Sequence, residues 1–190
     1  MVYTSGMKLI IGLGNPEKRY DGTRHNVGFA VLDTYAQREA VDWHDTPKFK
    51  ARIATLPTAE KVLLVKPTTY YNLVGESVRS LADFYRIAPE DILIIYDDHA
   101  LPFGVLRTRD QGSDAGNNGI KSLNAHVGPT TKRLRVGTHS DARAMMNDAD
   151  YVLSTFSTQE QATLSDLSTT IADILDAFIN NTFAATTHRS

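Results

Sequence analysis

The chain has 190 residues, a formal net charge of −2 and no cysteine. That length suits one domain with a substantial core and is short for two. Ordinary apolar and charged fractions exclude disordered and fibrous classes, and the lack of cysteine excludes disulfides, thiol nucleophiles and Cys-ligated metals.

The opening MVYTSG lacks the basic and apolar regions of a signal peptide, and no apolar run reaches the roughly 20 residues that span a bilayer. The expectation is a soluble, cytoplasmic protein starting at Met1 or Met7. Apolar and β-branched runs then predict a strand over 8–13, a helix over 24–38, and strands over 51–56 and 61–66 joined as a hairpin. A helix over 72–86, strands over 92–96 and 104–108, a helix over 117–126 and a strand over 133–137 follow. The last element is a helix over 159–180, with Leu164, Leu167, Ile171, Ile174, Leu175 and Phe178 on one stripe. Ser157 and Glu160 have capping-box spacing at its start. This alternation predicts an α/β fold, residues 1–190 forming a single domain with a mixed, twisted central sheet flanked by helices.

Several segments carry chemistry. The strand over 8–13 runs into Gly14-Asn15-Pro16, with His25 ten residues past Asn15. Turns at strand ends in α/β proteins face a shared crevice, so Asn15 and His25 read either as site residues or as a turn asparagine and a surface histidine. A dinucleotide fingerprint starting at Gly12-Leu13-Gly14 fails, because its third glycine falls at Glu17 and Pro16 removes an N–H from the loop. There is no P-loop, and the histidines lack metal-ligand spacing. After Lys66-Pro67 come Tyr70, Tyr71 and Asn72, the last a helix cap or an amide that grips a peptide-like group. Tyr96-Asp97-Asp98-His99 puts carboxylates at a strand end, placed to orient a histidine or to make a turn. The Gly-rich run Gly112 to Lys121 opens a helix and suits an anion or a plain turn. Arg133-Leu134-Arg135 alternates, with both arginines on one face. Residues 100–143 are rich in Arg and Lys while 144–190 hold only Arg189, an asymmetry that allows local contact with a polyanion.

In order and spacing, GLGNP, TRHNVG, KPTTYYN, the Asp97-Asp98 pair followed by LPFG, the AGNNG loop and RLRVG resemble bacterial-type peptidyl-tRNA hydrolase, over residues 8 to about 137. The C-terminal part is similar only in length and helical character. The resemblance implies one α/β domain that hydrolyses the ester between a peptide and the 3′ end of tRNA without metal or cofactor, as a cytoplasmic monomer. It implies His25 as general base and Asp97 as its carboxylate partner. Asn15, Asn72 and Asn118 would line the cleft, with Tyr71, where the family usually has Met, against the aminoacyl portion. Tyr20 and Asn26 join this substrate-contacting set, and Arg109 and Arg135 match the pair that clamps the tRNA 5′ phosphate, aided by Lys121 and Arg133.

The departures are Asn117 for the usual His, Val74 for a Ser, Ala100 for an acid, and Thr138-His139-Ser140 in place of a Gly-containing turn. They bear on rate and substrate contacts rather than reaction type. An RNA-binding relative without hydrolysis and a small-molecule esterase or amidase on the same scaffold are the competing readings.

Overall fold

The computed structural model describes residues 6–189, so most of MVYTSG, with the choice of start at Met1, lies outside the described residues. The first strand, β1 (Lys8–Gly12), is buried along its length and pairs in parallel with β4 (Val62–Pro67) and β5 (Ile92–Pro102). β5 in turn pairs in parallel with β7 (Lys132–His139). Antiparallel strands close both flanks: β3 (Ala51–Leu56) and β2 (His44–Thr46) beyond β4, and β6 (Val105–Arg109) and β8 (Thr187–Arg189) beyond β7. The described residues thus form one mixed sheet of eight strands in the order β2-β3-β4-β1-β5-β7-β6-β8.

The central strands are apolar on both faces because helices cover both. Ile10, Leu93, Ile95, Leu134 and Val136 pack with Leu32 of α1 (Val27–Arg38) and with Ile171 and Phe178 of α6 (Ser168–Ile179). The alternate residues Leu9, Ile11, Ile92 and Ile94 meet Val78 and Leu81 of α2 (Val74–Tyr85) and Leu123 of α3 (Asn118–Val127). Lys8 ties the first strand to the last long helix. Its buried ammonium donates to the carbonyls of Phe178 at 3.0 Å and Ile179 at 2.7 Å and to Asn181 Oδ1 at 2.8 Å.

The structure corrects three expectations. The helix over 159–180 is two helices, α5 (Thr158–Asp166) and α6, parted at Leu167, where Ser168-Thr169-Thr170 offers side-chain oxygens that compete for the backbone. The capping box of Ser157 and Glu160 is present. The helices over 24–38 and 72–86 open with tight 3₁₀ turns, Arg24–Asn26 and Tyr71–Leu73, so His25 and Asn72 sit on turns rather than on the helices proper. The strand over 92–96 continues to Pro102, with a register shift after Asp98. β2, β8 and the short α4 (Asp148–Val152) are additions that no apolar run announces.

The glycines near the first strand serve packing. A Cβ on Gly28 would lie 2.5 Å from the Ile95 carbonyl oxygen and the Leu13 nitrogen, and one on Gly12 would lie 2.4 Å from the Gly28 oxygen. This contact seats the start of α1 directly over the end of β1 and the neighbouring middle of β5. Gly28→Ala is expected to cost about 1–3 kcal/mol, the usual range for overpacking, read as a lower urea midpoint at unchanged slope.

Candidate active site

β1 and β4 end side by side, and the end of β1 lies against the middle of β5, where Gly12 pairs with Ile95. The turns leaving β1 and β4 therefore meet the β5 segment that carries Asp97 in one crevice. Two asparagines assemble it. Asn15 N–H donates to Asn26 Oδ1 and Asn26 Nδ2 donates to the Asn15 carbonyl, both at 2.9 Å, which locks the turn after β1 to the turn carrying His25. Asn15 Oδ1 accepts from the Tyr71 backbone N–H at 3.0 Å and draws in the turn after β4. Both asparagines are buried, so their contacts hold the backbone of the crevice in shape.

At its centre His25 Nδ1 stands 3.0 Å from each oxygen of Asp97, a carboxylate that is only 2% exposed. A carboxylate at Nδ1 makes that nitrogen the one carrying hydrogen and leaves the Nε2 lone pair as a base. The His25 side chain keeps 18% exposure, enough for a water or substrate to reach it. Tyr71 lies beneath it, ring centroids 3.5 Å apart and planes 14° from parallel, and its hydroxyl donates to Asp97 Oδ1 at 2.8 Å. Burial first, and then the charge of Asp97, push the Tyr71 phenol well above its ordinary range, so it stays a neutral donor. Asn117, the cap of α3, donates from Nδ2 to the Tyr71 oxygen at 3.1 Å.

Asn72 and Asn118 are exposed and flank these residues in sequence, Asn72 after Tyr71 and Asn118 after Asn117. Neither is a helix cap: Leu73 precedes α2 and Asn117 caps α3. Tyr20 lies half-buried in the turn Lys18–Tyr20, with the Arg19 guanidinium 4.8 Å from its ring centroid.

A cavity of about 230 Å³ opens beside Asp97, lined by Asp98, Arg109, Arg133, Arg135 and the Gly112–Ala115 loop. Arg135 Nη2 contacts Asp98 Oδ2 at 2.5 Å, and Arg109 donates to the Thr108 carbonyl at 2.7 Å. Arg133 is fully buried, bound to the Thr131 carbonyl and Asn124 Oδ1, so it builds the cavity wall instead of reaching outward. Arg133 Nη1 and Arg135 Nε have no hydrogen-bond partner among the described residues. A larger cavity, about 630 Å³, lies between α1 and α6 with mostly apolar walls. It is lined by neither His25 nor its partners Asp97 and Tyr71, so the chemistry rather than the volume marks the site.

One part of the site was invisible in the sequence. Arg24, next to His25, grips Glu160 of α5 through two bonds of 2.9 Å, with Tyr151 and Phe156 rings 4.7 and 5.0 Å from its guanidinium. The C-terminal segment thereby fixes the turn that presents His25, although 136 residues separate the two partners. Burial alone would raise the Glu160 carboxyl, but the Arg24 guanidinium and the Ser157 N–H outweigh it and hold it below its ordinary value. Its contribution to stability is therefore present above the unfolded-state value near 4.3 and is lost as pH falls through the lower folded-state value. Glu160→Gln leaves Arg24 buried without a counter-charge, which typically costs about 3–5 kcal/mol. Urea unfolding at pH 7 should show that loss, and the gap from wild type should narrow as pH falls through the folded-state value.

Among known proteins, the family model described as peptidyl-tRNA hydrolase matches residues 9–190. The chain is 44% identical over 185 residues to the peptidyl-tRNA hydrolase of Exiguobacterium sibiricum, spanning 96% of this chain and 99% of that one. To the Desulfitobacterium hafniense protein of that name it is 47% identical over 163 residues, 85% of this chain and 86% of the other. The crystal structure of peptidyl-tRNA hydrolase from Acinetobacter baumannii matches with a TM-score of 0.85 at 31% identity, over 95% of this chain and 92% of that one. Sequence and fold agree from the first strand to the last helices, and the chain belongs to the peptidyl-tRNA hydrolase family.

Proposed function

We propose that this chain hydrolyses the ester bond joining a peptide, or an N-blocked aminoacyl group, to the 3′ end of tRNA, and so recycles peptidyl-tRNA released early from ribosomes. The observation that carries the reading is the His25–Asp97 pair, its Nε2 turned away from the carboxylate at the mouth of the crevice. Nε2 takes a proton from water as the oxygen attacks the ester carbonyl. Asp97 stabilises the resulting imidazolium, which then gives the proton to the departing ribose oxygen. The side-chain amides of Asn72 and Asn118 supply donors for the oxyanion, each such donor being worth roughly 3–4 kcal/mol. An activated ester asks only for a placed base and these donors, so the reaction proceeds without metal or cofactor. The same reading has the protein act as a monomer in the cytoplasm; no helix among the described residues is long and apolar enough to cross a membrane.

Arg109 and Arg135 receive the tRNA 5′ phosphate. Arg135 is part-exposed and lines the same cavity as Arg109, which puts both guanidinium groups on one side of the space a phosphate would enter. Arg109→Ala and Arg135→Ala should each raise KM about tenfold or more while kcat stays within about twofold, the pattern of a lost charged hydrogen bond made equally in ground and transition states. Each loss should also flatten the dependence of log KM on log salt by about 0.7–0.9 per contact. A fall in kcat at fixed KM would remove the clamp assignment.

The test is release of an N-acetylated amino acid from N-acetylaminoacyl-tRNA in EDTA, run beside N-acetylamino acid ethyl esters. Rapid release from the tRNA substrate alone supports the proposal. Binding of that tRNA without release would make the chain an RNA-binding relative, and equal turnover of the ethyl esters would make it a small-molecule esterase.

A further inference from the structure

Four hydrogen bonds connect the start of α3 to the imidazole. Asn117 Oδ1 accepts from the Ile120 N–H at 3.0 Å, which leaves only its Nδ2 to meet the Tyr71 oxygen at 3.1 Å. With that lone pair occupied, the Tyr71 hydrogen points to Asp97 Oδ1 at 2.8 Å, and Asp97 in turn accepts from His25 Nδ1. Every polarity in the chain follows from the first bond, because a capping amide oxygen can only accept. The Tyr71 ring is equally constrained. It is 4% exposed, its N–H is bound by Asn15, and a Cβ on Gly119 would fall 2.5 Å from its Cε1.

We infer that Tyr71, oriented by Asn117, is a positioning residue for this reaction: its hydroxyl and ring hold Asp97 and His25 in the arrangement that leaves Nε2 to activate water. The inference rests on His25 acting as the base. A phenylalanine would fill the space under the imidazole as well as tyrosine does, so the hydroxyl is what distinguishes positioning from packing. By donating to Asp97, Tyr71 also draws charge from the carboxylate that His25 faces, and so limits how firmly the imidazolium is held.

Tyr71→Phe keeps the ring stack and removes only that donor. The groups sharing the cavity with Asp97 are Tyr96, Asp98 and His99 on its own strand, Asp114 of the loop, and Arg109, Arg133 and Arg135 opposite. The substitution alters none of them. The acid limb of the kcat/KM–pH profile should therefore move up by about half a pH unit or more, with KM little changed. The NMR titration of the His25 ring proton, identified as the signal lost in His25→Gln, should move the same way without any turnover. Asn117→Ala should give a smaller shift in the same direction, and adding it to Tyr71→Phe should change nothing further, since Asn117 acts through the hydroxyl.

An unmoved His25 titration in folded Tyr71→Phe would overturn the inference, as would additive effects of the two substitutions or a change confined to KM. The titration separates the two failures. If it shifts while His25→Ala keeps full turnover, the base assignment is wrong and the coupling of Tyr71 to His25 stands.

Discussion

Replacing His25 with alanine is expected to lower kcat by about 10²–10⁴-fold, the typical contribution of a positioned general base. Affinity for the tRNA should stay near wild type, because the proposed phosphate contacts, Arg109 and Arg135, belong to β6 and β7 and line the cavity on the far side of Asp97. The fold should persist as well. His25 is partly exposed, and the neighbours that anchor its turn are Arg24 and Asn26, whose partners Glu160 and Asn15 are untouched. Steady-state kinetics together with filter binding of uncharged tRNA separate the two effects. A fall in binding that accounts for the lost activity would make His25 a tRNA contact.

Asp97→Asn should be at least as damaging, by about 10³–10⁴-fold, for a reason specific to this site. Tyr71 donates to one oxygen of Asp97, so an amide at 97 must place its own oxygen there and turn its nitrogen toward His25. That nitrogen donates to Nδ1, the imidazole hydrogen moves to Nε2, and the lone pair needed for water is buried against the protein. The variant should therefore fold normally and lose turnover, and ¹⁵N shifts of the ring should report the exchanged tautomer. Activity within tenfold of wild type, or an unchanged tautomer, would contradict this account of Asp97.

The elements that position the chemistry were legible where local patterns have one physical meaning. A buried apolar run ending in Gly14-Asn15-Pro16 is a strand and its turn, which brings Asn15 and His25 to one crevice. The strand over 92–96, by contrast, runs on past Asp97 to Pro102, and the pairing of Asp97 with His25 rests on the family resemblance rather than on the strand pattern. The short edge strands His44–Thr46 and Thr187–Arg189 carry no apolar alternation, and pairing partners alone create them. The break at Leu167 lies inside an unbroken apolar stripe, so periodicity passes over it. Of two adjacent asparagines, Asn117 and Asn118, nothing in the sequence says which caps the helix and which is exposed. The Arg24–Glu160 pair and the hydroxyl of Tyr71 depend on what side-chain tips meet across the fold, and spacing along the chain holds no record of that.

The central claim is that His25, held by Asp97, activates water against a tRNA ester. Its most direct test is single-turnover release of the N-acetylaminoacyl group from tRNA, with enzyme in excess and EDTA present, comparing wild type with His25→Ala at equal substrate occupancy. The account predicts fast, EDTA-insensitive release by wild type and a rate at least about 10²-fold lower for the variant. Equal rates for the two proteins, or loss of wild-type release in EDTA, would contradict it.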